Sequence, residues 1–246
     1  MGVIKYAFDT NGVGEMNHTF QPAISKVLSA HVRSENNQVL MDVEVEGVFN
    51  GDDLTAFDDF FFDWAAAFGF EFGVPVLQPR NCCHQLPTKD GMGPVVINLN
   101  VGTFTLPRKL VTPSDERLKQ VHTISLELTD VVSMYLRQFS FANSESDAIS
   151  RFSFLYNLLL QMSDDGGQPE VDSQILNIAP DCEQTISPKP GKYETYETVY
   201  TRLRNELGHK REGVNYSQTK SEIRNKVVEF SEIVKKCIMA KMHEDS

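Results

Sequence analysis

The sequence predicts an α+β chain in two parts, a small α+β domain over residues 1–112 followed by an all-α helical bundle over 113–246. Three observations carry this. In the first part apolar residues alternate with polar ones, at Ile4, Tyr6 and Phe8 and again at Val39, Met41, Val43 and Val45, the period of a strand with one wet face. After Leu106-Pro107 and Thr112-Pro113-Ser114-Asp115 the apolar period becomes helical. At 246 residues, with 41% hydrophobic and 23% charged side chains, the chain carries enough apolar material for two modest cores.

The elements follow in order. Ile4–Phe8 is a strand, and Val39–Val45 is another, joined through a hairpin turn at Glu35-Asn36-Asn37-Gln38 to the segment around His31–Arg33. Leu54, Phe57, Phe61, Trp64 and Phe68 fall at helical spacing, with Asp52 or Asp53 placed to cap the start and Asp58, Asp59 and Asp63 on the other face. This is an amphipathic helix laid on the sheet, and its aromatic and acidic density also suits a protein partner. Val95, Ile97, Leu99 and Val101 repeat the strand alternation. Beyond residue 112, Leu118, Val121, Leu128, Val132, Tyr135 and Phe139 trace one long helix capped by Thr112 or Ser114. A second helix begins near Asp147, turns Ile149, Phe152, Leu155, Tyr156, Leu159 and Met162 inward, and stops at Asp164-Asp165-Gly166-Gly167. A short helix around Ile175–Ile178 comes next. A third covers about 192–207, with Tyr196, Val199, Tyr200, Leu203 and Leu207 inward and Gly208 just past its end. The last starts near Ser221 and buries Ile223, Val227, Phe230, Val234 and Ile238.

Composition excludes several classes. No run of about 18 apolar residues occurs, so no membrane span is expected, and Met1–Gly12 contains no apolar signal core, so a cytoplasmic location is expected. The four cysteines include no Cys-x-x-Cys pair. Cys82-Cys83-His84 is the one segment with clustered metal-ligand chemistry, and reduced thiols in a buried or loop segment are its plainer reading. The net charge of −11 is unevenly spread: residues 1–182 carry −13 and residues 183–243 carry +4. An acidic body repels phosphate, so any anion-binding function belongs in the last quarter. No Gly-x-Gly-x-x-Gly, Walker loop, Gly-x-Ser-x-Gly or His-Glu-x-x-His occurs, and the spacings suggest neither a metal nor a cofactor.

Within that basic quarter, the third helix ends Thr201-Arg202-Leu203-Arg204-Asn205-Glu206-Leu207-Gly208-His209. An arginine and a histidine at this separation suit phosphodiester chemistry. The guanidinium pairs with phosphate oxygens and stabilises the charge that develops on them, while an imidazole titrating near neutrality moves the protons. Asn205 is placed to orient either group. Arg202, Lys210 and Arg211 are candidates for further phosphate contacts. A purely structural role competes with this, in which Arg204 pairs with Glu197 or Glu206 and His209 sits as a cation at a helix C-terminus.

Arg204-Asn205-Glu206-Leu207-Gly208-His209 resembles the Arg-Asn-x-x-x-His motif of HEPN domains. The aromatic-rich Phe152–Leu160 segment resembles the helix packed against the motif helix in that superfamily, and a closing amphipathic helix follows. The resemblance spans roughly residues 116–242. Within it, Tyr196–His209 is most similar to the MauJ-like branch, named for methylamine-utilisation loci, and to the Apea-like branch. It implies a HEPN-like bundle that forms a homodimer, with two motifs facing each other. It further implies metal-independent endoribonuclease activity leaving a cyclic phosphate, or RNA or nucleotide binding. His209 would be the acid–base group, Arg204 the phosphate clamp and Asn205 a supporting contact. The alternative within the same resemblance is a non-catalytic accessory or interaction protein, with the N-terminal domain binding a protein partner or a small ligand.

Overall fold

The computed structural model describes residues 1–10, 12–88, 91–93, 95–97, 111–163, 166–187, 195–208 and 214–244. The chain is α+β and divides into two compact units, Met1–Ser144 and Glu145–Ser246.

The first unit begins with β1 (Gly2–Asp9), β2 (Asn17–Phe20), β3 (Val27–Glu35), β4 (Gln38–Val45) and α1 (Gly51–Phe72), then β5 (Leu77–Gln85), β6 (Pro87–Thr88), β7 (Gly91–Met92) and β8 (Val96–Ile97). Two helices close it, α2 (Asp115–Glu127) and α3 (Asp130–Ser144). The main sheet runs β2-β3-β4-β1-β5-β8, and its pairs are antiparallel. The strands expected from alternation pair with matched faces: Phe8 opposes Val39, Tyr6 opposes Met41 and Ile4 opposes Val43. Asn36 and Asn37, at φ 50° and 62°, supply the left-handed two-residue turn that a tight hairpin requires. Leu99 and Val101, expected to extend the β8 alternation, lie outside the described residues.

α1 is the centre of this unit. Its start is fixed by a capping box in which Asn50 Oδ1 accepts from the Asp53 amide at 2.9 Å and Asp53 Oδ2 accepts from the Asn50 amide at 2.9 Å. Asn50 is therefore the cap, and Asp53 is its reciprocal partner. Asn50→Ala is expected to cost about 1 kcal/mol, seen as a lower urea midpoint of tryptophan fluorescence. On the sheet side Phe61 stacks on Tyr6 with ring centroids 4.5 Å apart, and Trp64 and Phe68 pack on Phe8. The opposite side is not the wet face its aspartates suggest. Arg137 of α3 donates to Asp63 Oδ1 at 2.8 Å and meets Asp59, Ser133 donates to Asp63, and Arg117 of α2 donates to Glu71 Oε1 at 2.8 Å. Phe70 packs edge-on against Phe139. α1 is thus sandwiched between the sheet and the α2–α3 pair.

That sandwich moves the expected domain boundary. Periodicity places residues 113–144 with the bundle, while the two compact units divide between Ser144 and Glu145, because α2 and α3 cover the acidic and aromatic back of α1. The single long helix expected over 118–139 is two helices, interrupted at Leu128-Thr129, with Ser114 capping the first.

The second unit contains α4 (Ala148–Met162), α5 (Gly167–Ile178), β9 (Gln184–Ile186), β10 (Tyr196–Thr198), α6 (Val199–Gly208) and α7 (Tyr216–Glu244). Asp147 caps α4 by accepting from the Ser150 amide at 2.9 Å. α4 packs on α7, and Phe152, Tyr156, Tyr200 and Phe230 make an aromatic core, with Tyr200 stacked on Phe230 at 4.4 Å. Ile223, Val227, Phe230, Val234 and Ile238 are all buried, as the period of α7 requires. β9 and β10 form a small antiparallel ribbon. Among the described residues the unit is therefore four helices carrying a two-stranded ribbon. Among the described residues, no helix is long and apolar enough to cross a membrane.

Candidate functional site

The motif helix α6 is shorter than its apolar stripe suggests. Residues 196–198 are strand, so Tyr196 leaves the inward stripe and is 58% exposed. β10 runs straight into α6, and Thr198 caps the helix by accepting from the Thr201 amide at 3.3 Å. This junction brings Glu197, Thr198 and Thr201 against α5.

Of the residues expected to carry chemistry, His209, Lys210 and Arg211 lie outside the described residues. The other three are distinguishable from one another. Arg202 is saturated: it donates to Glu206 Oε1 at 2.9 Å and to Glu222 Oε1 at 2.5 Å. Burial opposes its charge, and the bonds to Glu206 and Glu222 more than compensate, so it is held firmly protonated. Two carboxylates around one guanidinium leave a net negative cluster, which does not suit the phosphate contact expected of Arg202.

Asn205 is 1% exposed and fully engaged. Its Oδ1 accepts from Gln168 Nε2 at 2.7 Å and from Arg204 Nη1 at 3.1 Å, and its Nδ2 donates to Gln168 Oε1 at 3.2 Å and to Glu197 Oε2 at 3.0 Å. It is a positioning residue for Arg204 and has no remaining capacity for a substrate. Arg204 itself is half-buried, lies over the Tyr156 ring with its guanidinium carbon 5.9 Å from the centroid, and uses one donor on Asn205. It makes no ion pair among the described residues; Glu206 is taken by Arg202 and Glu197 accepts from Asn205.

Beneath Arg204 runs a second polar network. Asp172 Oδ1 accepts from the Thr198 amide at 3.1 Å and from the hydroxyls of Thr198 and Thr201, each at 2.6 Å. Because the Thr201 hydrogen is committed to Asp172, the 2.8 Å contact between Tyr156 and Thr201 is made by the Tyr156 O–H donating. Burial pushes the Tyr156 hydroxyl up to about 12, so it keeps that proton at neutral pH. Asp172 and Glu197 also line a cavity of about 620 Å³ with Gln168, Leu176, Tyr196 and Thr201 among its walls.

Sequence reasoning did not single out Asp172, Gln168, Thr201 or the cavity. Nothing in the local sequence around Asp172 separates it from a surface carboxylate on an amphipathic helix; only the β10–α6 junction makes it buried. Cys82, Cys83 and His84 sit on β5 at a bulge, where the register on β1 jumps, and among the described residues no group of three or more His, Cys, Asp or Glu is placed to hold a metal ion. No family model matches the chain, and neither a curated protein nor a solved structure matches it.

Proposed function

We propose that the second unit is a HEPN-like bundle that engages RNA through its phosphodiester backbone at Arg204 and cleaves it without a metal, as a homodimer. The observation that supports this reading best is the contrast between two arginines on one helix. Arg202 is neutralised by two carboxylates, while Arg204 is held in place by an amide oxygen and an aromatic face. A guanidinium oriented by neutral partners keeps its charge and most of its donors for an external anion. In this reading His209 accepts the proton of an RNA 2′-hydroxyl as its oxygen attacks phosphorus. Arg204 stabilises the charge on the non-bridging oxygens, the bond to the 5′ oxygen breaks, and that oxygen takes a proton from the imidazolium across the dimer. The products are a 2′,3′-cyclic phosphate and a 5′-hydroxyl.

The second reading, a non-catalytic accessory protein, draws support from the saturation of Arg202 and Asn205. It leaves Arg204 as an anion contact without chemistry. Incubating mixed RNA in EDTA with wild type, Arg204→Ala and His209→Ala separates the two, once each variant is shown to be folded and its oligomeric state measured. The nuclease reading expects cleavage to fall by about 100-fold or more in both variants. Equal rates in all three proteins would refute the site. Absence of cleavage in the wild type, with RNA binding that weakens in Arg204→Ala, favours the accessory reading.

A further inference from the structure

We propose that Cys82 and Cys83 form a chelating site for a soft metal or metalloid centre, held between their two sulfurs on the sheet face opposite the one α1 covers. Adjacent residues of a regular strand point to opposite faces, so neighbouring cysteines do not ordinarily act together. The bulge in β5 changes this. Lys5 opposes Cys83 and Tyr6 opposes Asn81, which leaves Cys82 as the extra residue. Opposed residues share a face. Asn81 therefore lies on the α1 side with Tyr6, and it donates to Asp58 of α1 at 3.1 Å. Arg80 lies on the other side with Ala7, where it donates to Asp9 Oδ1 at 2.9 Å. Cys82 follows Arg80 by two residues and keeps its face, and Cys83 takes that same face opposite Lys5. Arg80, Asp9 and Cys83 are the ionisable neighbours that act on the Cys82 thiol, as this placement requires. His84 returns to the α1 side opposite Ile4, so the pair of thiols acts without it.

Three observations select chelation from the other chemistry of paired thiols. Both thiols are free and partly exposed, and Ile97, opposite Cys83 on the same face, is 63% exposed, so a ligand reaches the pair from solvent. A direct disulfide does not suit them. Across one peptide bond the Cα atoms are about 3.8 Å apart, below the roughly 4.4–6.8 Å that an unstrained disulfide spans. An inserted atom, bonded to each sulfur at about 2.3 Å as in zinc thiolates, lengthens the link and relieves that strain. Nucleophilic redox chemistry is disfavoured as well, because burial pushes the Cys82 thiol up against a smaller opposing pull from Arg80. A soft centre instead displaces both thiol protons on binding. Lys5 and Arg80, on the same face as the sulfurs, then offset the charge of the two thiolates.

The test uses phenylarsine oxide, whose trivalent arsenic needs only two protein sulfurs. Each thiol gives up its proton for a bond to arsenic, and the oxide oxygen leaves as water. The folded full chain is treated in excess 2-mercaptoethanol, which competes for arsenic held by a single thiol, and the adduct is read by native mass spectrometry. Wild type is expected to retain one phenylarsenic group. Cys82→Ser and Cys83→Ser are each expected to weaken retention by about 100-fold or more, the advantage of a second linked contact, and Cys182→Ser is expected to leave it unchanged. A second arm needs no variant. N-ethylmaleimide added to the arsenic-loaded wild type, followed by tryptic digestion, is expected to leave the peptide Asn81–Lys89 unlabelled. An absent adduct in folded wild type, an adduct that survives either Cys82→Ser or Cys83→Ser undiminished, or maleimide labelling of both Cys82 and Cys83 in the loaded protein would each overturn the proposal. RNA cleavage is not the readout, so failure here leaves the Arg204 reading standing.

Discussion

Phe68→Ala is expected to destabilise the N-terminal unit by about 3–5 kcal/mol, which a urea titration reads as a large drop in midpoint. Phe68 is fully buried on α1 and lies where three rings meet: Phe8 edge-on at 5.5 Å, Trp64 stacked at 5.3 Å and Phe72 at 4.7 Å. Truncation removes the apolar burial of a whole ring and leaves a void that the sheet on one side and α2–α3 on the other have little freedom to fill. The chain has one tryptophan, Trp64, and it is 1% exposed, so its emission reports this unit's core. Phe68→Leu keeps most of the volume and is expected to cost under about 1.5 kcal/mol. Coincident midpoints for Phe68→Ala and wild type would show that the aromatic layer does not govern unfolding of the unit.

The same helix shows what was legible in the sequence and what was not. Period-two alternation at 4, 6, 8 and 39, 41, 43, 45 located β1 and β4, and the helical spacing of Phe57, Phe61, Trp64 and Phe68 located α1, because burial on one face leaves a direct trace in the pattern. The acidic back of α1 misled for the same reason. A carboxylate facing solvent and one facing an arginine of a later helix look identical in sequence, and Asp59, Asp63 and Glu71 are of the second kind. Since those partners are Arg117 and Arg137, the helices carrying them belong with the sheet, and the boundary moved by about thirty residues. The helix expected over about 192–207 takes in the strand residues of β10, because Tyr196, Val199, Tyr200 and Leu203 satisfy a helical stripe whether or not residue 196 is helical. In the candidate site, Arg204 and Asn205 were visible through a local motif. Asp172 was not, since its three donors lie 26 and 29 residues away and come together only when α5 docks on the β10–α6 junction.

That dependence makes Asp172→Ala the most costly change expected in the second unit, at about 3–5 kcal/mol. The substitution removes the acceptor of one backbone N–H and two hydroxyls whose residues, Thr198 and Thr201, are 0% and 1% exposed. Thr201 in turn receives the Tyr156 hydroxyl, so the loss extends from the N-terminus of α6 to α4. Neighbouring polar groups of one network do not lose energy additively, and the Tyr156→Phe, Asp172→Ala double variant is expected to cost less than the sum of the single changes. Asp172→Asn keeps Oδ1 where the donors converge and is expected to cost only about 1 kcal/mol. Urea denaturation followed by helical circular dichroism measures the difference, and amide exchange at Thr198 localises it. A stability for Asp172→Ala within about 0.5 kcal/mol of wild type would mean that water entering from the cavity replaces the carboxylate. The wall would then be a solvated surface and no longer a preformed one.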